Sequence, residues 1–187
     1  MTHFQVLIMG GGNAGISTAA QLLHRKKDLQ IAIIEPSENH YYQPAWTLVG
    51  AGVFGIKKTI RSEASVMAHN VKWIREAAAF FQPQNNTVIT AEGNNYTYDY
   101  LIVAPGIQLN WNGVKGLSET IGKNSVTSNY SYKYAPYTYE CLKNIKPGDT
   151  ILFTAPSTPT KCGGAPQKVM YMTADYLRRK GILKNVT

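Results

Sequence analysis

Cys162 stands between Lys161 and the pair Gly163 and Gly164, in a loop of the 187-residue chain that leads from an apolar run at 150–155 into a helical pattern starting near Pro166. A cation beside the sulfur and a helix amino end just ahead of it both favour the thiolate, the nucleophilic and redox-active form of cysteine. Pro166 suits the first turn of that helix. The plainer alternative is a small cysteine buried in a loop. The other cysteine, Cys141, lies in a helical run with Leu142 and Ile145 and reads as packing.

A second chemical feature opens the chain. Gly10, Gly12 and Gly15 satisfy G-x-G-x-x-G, with Asn13 and Ala14 between the last two glycines. The first glycine permits a tight turn, the second lets the backbone approach a pyrophosphate, and the third lets helix and strand pack closely. The helix amino end then offers free N–H groups and a favourable dipole to the phosphates. Glu35, at the end of the next apolar run, is placed to accept hydrogen bonds from ribose hydroxyls and to disfavour a 2′-phosphate. A Gly-rich turn without a ligand is the alternative.

These residues need a particular set of elements to hold them. Residues 4–9 and 30–35 read as buried strands, and 13–27 as a helix with an apolar face from Ile16, Ala19, Ala20, Leu22 and Leu23. This β-α-β pattern predicts parallel strands. Residues 36–60 are loop-rich, with a short helix at 45–49. Residues 71–81 suggest a strand. Runs at 87–91 and 95–98 follow, with turn chemistry at Asn85, Asn86, Gly93 and Asn94, so a small antiparallel meander is expected. Residues 100–104 return as a buried strand ending at Pro105 and Gly106. A tyrosine-rich stretch leads into a helix at 135–145, closed by Pro147 and Gly148. Residues 149–181 form one further strand-loop-helix unit. A lone unit of this kind cannot close a second sheet, which suggests a truncated chain.

Hydrophobic residues make up 44% and charged residues 16% of the chain, which argues for a folded domain and against disorder. The formal net charge of +8 suits an anionic partner, but the cations are scattered, with the densest groups at helix ends. A nucleic-acid partner is not expected, and a metal site is not expected either. Two cysteines make no disulfide framework, and no signal-peptide pattern opens the chain, so a cytoplasmic, reducing location is expected. No apolar run approaches the roughly 20 residues needed to span a bilayer.

The strand at 100–104 with Ala104 and Gly106 resembles the second fingerprint of two-dinucleotide-domain flavoproteins, which favours FAD over NAD. Pro105 replaces the threonine many of those proteins carry. The loop after Ala155 carries no second glycine fingerprint for a nicotinamide nucleotide and has prolines where a phosphate cradle needs N–H groups. Together with residues 35–52, 101–109, 128–131 and 158–168, these features make the chain resemble the amino-terminal part of the sulfide:quinone oxidoreductases of the eukaryotic-like type, within the FAD-dependent pyridine nucleotide-disulfide oxidoreductases. The resemblance implies an α/β fold. A Rossmann-like FAD-binding domain with an inserted antiparallel β-meander would cover 1–122, and 123–187 would begin a second Rossmann-like βα unit carrying the redox cysteine.

Beside Gly10, Gly12 and Gly15 of the first fingerprint and Ala104 and Gly106 of the second, the resemblance implies FAD contacts at the Asn13 and Ala14 backbone, Glu35, Gln43 and the backbone near Ala78. It implies that Cys162 is one of two redox cysteines beside the flavin. Sulfide would form a persulfide, FAD would take two electrons and pass them to quinone, and a sulfur acceptor such as sulfite or a small thiol would remove the sulfur. The second cysteine and the membrane-binding segments of the family would lie beyond residue 187, and Cys141 does not match the missing cysteine. Peripheral contact with the cytoplasmic membrane face and a homo-oligomer are compatible with this reading. A truncated FAD-binding or interaction module without turnover, and an NADH:quinone dehydrogenase-type flavoprotein, remain the alternatives.

Overall fold

The computed structural model describes residues 2–158 and 160–187. Met1 and Pro159 lie outside the described residues, so the part of the cysteine-loop motif that falls on Pro159 does too. In chain order the first elements are β1 (Thr2–Met9), α1 (Asn13–Arg25), β2 (Ile31–Ile34), β3 (Asn39–Tyr41), α2 (Trp46–Gly50), β4 (Ile60–Ser62) and α3 (Glu63–Val66). They are followed by β5 (Val71–Ile74), β6 (Ala78–Gln82), β7 (Thr87–Thr90), β8 (Asn95–Val103), α4 (Leu117–Thr120), α5 (Ala135–Lys143) and α6 (Ala165–Arg179). The fold is α/β and divides into two compact units, 1–41 with 60–108, and 42–59 with 109–187. Segment 42–59 thus belongs with the later part of the chain, whereas the sequence suggested one division after residue 122.

The first unit is built on a sheet of order β5-β2-β1-β8-β7-β6. β1 pairs in parallel with β2 and with β8, and β2 pairs in parallel with β5. Alternation sorts the strand residues onto two faces. Val6, Ile8, Ile31 and Ile33 pack with Ala19 of α1, while Leu7, Ala32, Ile34, Ile74, Val88 and Tyr98 form the other cluster. All four residues of β2 are buried, as a strand covered on both faces requires.

Two strand expectations change. The run 71–81 is two strands at opposite edges of the sheet, β5 and β6. The chain leaves β5 at Arg75, whose guanidinium lies 4.2 Å from the Trp73 ring, and at Glu76, which accepts from Asn94 Nδ2 and Tyr96 OH. The runs 95–98 and 100–104 are in turn one strand, β8. Its first residues serve the meander, antiparallel to β7, and its whole length runs along β1 from Thr2↔Tyr96 to Met9↔Val103.

In the second unit, Trp46 and Val49 of α2 pack against Ala135 of α5. Trp46 Nε1 donates to Thr59 Oγ1 at 3.1 Å, which ties the two ends of the segment 42–59. Tyr139 of α5 meets Tyr176 of α6 edge to face, with ring centroids 6.1 Å apart. The expected strand at 150–155 does not form. That stretch has no regular secondary structure, Leu152 is 82% exposed, and the backbone contacts are Ile151 N to Thr187 O and Thr187 N to Asp149 O. An apolar run becomes a strand only where a neighbouring strand takes its hydrogen bonds. The helix after it does form, with Pro166 in its first turn.

Candidate dinucleotide and thiol sites

Strand β1 ends at Met9, and the Gly-rich turn is clamped by the strand beside it. Gly10 has φ +104°, and a Cβ built on it would run into the Ala104 carbonyl at the end of β8. A Cβ on Gly15 would strike the Gly10 carbonyl and come within 3.3 Å of Ile8 Cγ2. Helix, turn and two strands therefore meet with no room for side chains at these points. Gly12 differs: nothing lies within 4 Å of a Cβ placed there. It is the N-cap of α1, a 13-residue helix whose first N–H groups have no intrahelical acceptor, and both Asn13 and Ala14 are exposed.

Glu35 is tied to the same turn. Its Oε2 accepts from Gly11 N at 2.8 Å and its Oε1 from Ser37 N at 2.8 Å. Its backbone is fixed on both sides, with Glu35 N donating to Ile74 O and Trp73 Nε1 donating to Glu35 O at 2.9 Å. The carboxylate thus holds the loop while each oxygen keeps a further lone pair for a hydroxyl donor. Gly106, with φ +74°, turns the chain away after β8, in a conformation that favours glycine. Ala78 begins β6 opposite Thr90 and packs on the cluster of Leu7, Ala32 and Ile34. So Gly10, Gly12, Asn13, Ala14, Gly15, Glu35 and Ala104 come together at one end of β1, while Ala78 sits on the strand at the far edge of the sheet.

A further acid lies on this loop. Glu63 is 1% exposed, and its Oε1 would be 2.8 Å from a Cβ on Gly11. Burial pushes its carboxyl above the usual carboxylate range; His40 pulls against that and Glu35 adds to it. Nothing in the sequence around Glu63 marks it, since its place depends on α3 returning to the Gly-rich turn.

Gln43 and Cys162 belong to the second unit. Cys162 is a free, exposed thiol rather than a buried one. Its carbonyl accepts from Ala165 N at 3.1 Å and from Tyr130 OH at 3.2 Å, which fixes the loop against α6 and the tyrosine-rich segment. Lys168 Nζ lies 3.9 Å from the sulfur. Lys161 instead donates to Gln43 Oε1 at 2.5 Å, and Gln43 Nε2 donates to Tyr130 O at 3.5 Å. The cation at the thiol is therefore Lys168, not the adjacent Lys161. Lys168 was legible in principle, because side chains in the first turn of a helix lean back toward its amino end. Cys141 is half-buried in α5 and unpaired. Among the described residues, no cluster of His, Cys, Asp and Glu could hold a metal ion, and no helix is long and apolar enough to cross a membrane.

Comparison with known proteins places this geometry. The profile of the pyridine nucleotide-disulphide oxidoreductase family matches residues 4–138. The chain is 47% identical over 97% of its length to a mitochondrial sulfide:quinone oxidoreductase of Dictyostelium discoideum, and 44% identical over 96% of its length to a mitochondrial sulfide:quinone oxidoreductase of Mus musculus. In each case it spans 40% of the relative's length. The crystal structure of the sulfide:quinone oxidoreductase of Aquifex aeolicus superposes on the whole chain with a TM-score of 0.77 at 27% identity, the chain covering 42% of that protein. The chain belongs to the pyridine nucleotide-disulphide oxidoreductase family, its fold is the Rossmann-like one of a flavin-binding domain, and membership implies a flavin cofactor. The residues at the end of β1 fit one: the turn is closed at Gly10, Gly11 and Gly15 and open at Gly12, where a pyrophosphate needs the backbone.

Proposed function

We propose that this member of the pyridine nucleotide-disulphide oxidoreductase family binds FAD and supplies the dinucleotide loop and one redox thiol, Cys162, to the oxidation of sulfide with quinone as electron acceptor. The observation that carries the reading is the 47% identity to a sulfide:quinone oxidoreductase over 97% of the chain, which takes in the Cys162 loop as well as the dinucleotide loop. A likeness confined to the dinucleotide loop would support a flavoprotein and nothing more specific.

Gly10, Gly12 and Gly15, with the N–H groups of Asn13 and Ala14, would hold the pyrophosphate. Glu35 would take the ribose hydroxyls on the lone pairs that Gly11 and Ser37 leave open. Ala104, Gly106, Ala78 and Gln43 are the further FAD contacts proposed. Bound FAD would supply a two-electron acceptor. Cys162 would do the sulfur chemistry: hydrosulfide attacks a disulfide that includes Cys162, the S–S bond breaks, Cys162 keeps the new sulfur as a persulfide, and the released partner thiolate carries the electron pair. That partner is a cysteine other than Cys141. Lys168 stands where negative charge on the Cys162 sulfur would be balanced. A sulfur acceptor then takes the outer sulfur of the persulfide. Quinone is lipid-soluble, so the reaction implies work at a membrane surface.

The test is sulfide-dependent quinone reduction by the FAD-loaded protein in which these two units stand together with the partner cysteine. Activity is expected with sulfide, with none from NADH, and Cys162→Ser should abolish it. Undiminished activity in Cys162→Ser would overturn the assignment.

A further inference from the structure

Gly11 is held between two carboxylic side chains, and the FAD reading gives only one of them, Glu35, a role in holding the nucleotide. On one side a Cβ on Gly11 would lie 2.6 Å from Glu35 Cγ, and on the other 2.8 Å from Glu63 Oε1. Glu35 is well served by backbone donors, from Gly11 and Ser37. Glu63 is not. Its Oε2 lies 3.3 Å from His40 Nδ1, and its Oε1 is buried with no hydrogen-bond partner. Its backbone is nonetheless fixed: Ser62 caps α3 by accepting from Ser65 N, and Glu63 N donates to Glu38 O at 2.8 Å. A nearly inaccessible carboxyl oxygen left bare against a glycine is costly, and the cost is far greater for the ionised form.

We propose that Glu63 is a positioning residue for the dinucleotide loop, packing its bare oxygen on Gly11 opposite Glu35 so that the Gly11 N–H stays on Glu35 and the loop keeps the shape that receives a flavin dinucleotide. The inference rests on the FAD reading and deepens it. The neutral acid suits this role better than the carboxylate, because a bare buried oxygen costs less uncharged. The titratable groups facing it are Glu35 at the end of β2 and His40 on β3; Arg61, the charged residue of the other packed strand, β4, is exposed. Burial and the Glu35 charge both favour the protonated form, against the pull of His40. A bound pyrophosphate adds negative charge to the same loop. Ionised Glu63 therefore opposes the nucleotide, and by linkage the nucleotide draws a proton onto Glu63.

The probe is FAD, titrated into the full chain and followed by quenching of flavin fluorescence. Wild-type affinity is expected to fall by at least about fivefold as pH rises from the ordinary carboxylate range to the alkaline side of it. Glu63→Gln, neutral throughout and nearly the same shape, should match the wild type at the low end and vary less than about twofold. Melting curves of both proteins without FAD report whether the variant is folded. If Glu63→Gln does not fold, calorimetry of the wild type in buffers of different ionisation enthalpy reads the proton directly: uptake on FAD binding near the upper pH supports the role, and no uptake overturns it. FAD binding with the same pH profile in both proteins, or lost at every pH in a folded Glu63→Gln, overturns the role of Glu63 and leaves the FAD reading standing. A folded wild type that binds no FAD overturns the FAD reading, and this inference with it.

Discussion

Gly11 occupies one of the variable positions of G-x-G-x-x-G, yet two acid side chains fill the space that a side chain there would need. Contacts of 2.6 and 2.8 Å to Glu35 and 2.8 Å to Glu63 admit a methyl group only if the two acid side chains or the loop shift. Gly11→Ala should destabilise the protein by about 1–3 kcal/mol, the usual range for overpacking a closed site, as read by urea unfolding. Unchanged stability would show that the acid side chains or the loop yield freely. Glu63 sets a second expectation. The fold holds its proton more tightly than the unfolded chain does, because burial raises its carboxyl. That preference stabilises the fold fully below the ordinary carboxylate range, and the contribution is lost as pH rises through the raised value. Wild-type stability should therefore slope downward relative to Glu63→Gln on the alkaline side of the carboxylate range, in unfolding curves collected across pH. Parallel profiles would contradict it. Neither Gly11 nor Glu63 was legible in the sequence. The fingerprint marks the glycines that a nucleotide needs, whereas Gly11 is required by two side chains that arrive from β2 and α3.

At the scale of elements, the sequence showed what depends on local pattern and hid what depends on neighbours. The buried runs of β1 and β2, the helix α1 between them and the turn glycines could be read because alternation, helical periodicity and turn chemistry are written within each stretch. The division of 71–81 into β5 and β6 could not, because it is set by which edge of the sheet each half joins. The apolar run at 150–155 shows the converse, with strand-like residues and no strand beside them. Helix α6 began where Pro166 indicated, and its first turn carries Lys168 back to the thiol. Lys168→Met keeps the length of the side chain and removes the charge 3.9 Å from the sulfur. Alkylation of Cys162 by iodoacetamide at neutral pH, followed by peptide mass spectrometry, should slow on the order of threefold. An unchanged rate would show that the lysine is a bystander, with the helix amino end and solvent setting the reactivity.

At the scale of the whole molecule, the charge balance gave little direction. A net +8 spread over scattered lysines and arginines fits many anionic partners, and the flavin reading rests on family membership together with the loop at the end of β1. The two compact units each carry one half of the proposed chemistry, the dinucleotide loop in one and the Cys162 loop with Gln43, Tyr130 and Lys168 in the other. The chain spans 40% of the length of the two mitochondrial relatives, so the complete reaction is a proposal about the protein in which these units work, resting on the FAD loop and on Cys162. The most direct measurement is the absorbance of oxidised flavin, in the FAD-loaded protein that also carries the partner cysteine, as sulfide is added without oxygen. The account predicts bleaching by sulfide, absent in Cys162→Ser although that variant still carries FAD. Bleaching by NADH but not by sulfide, or equal bleaching in Cys162→Ser, would contradict it.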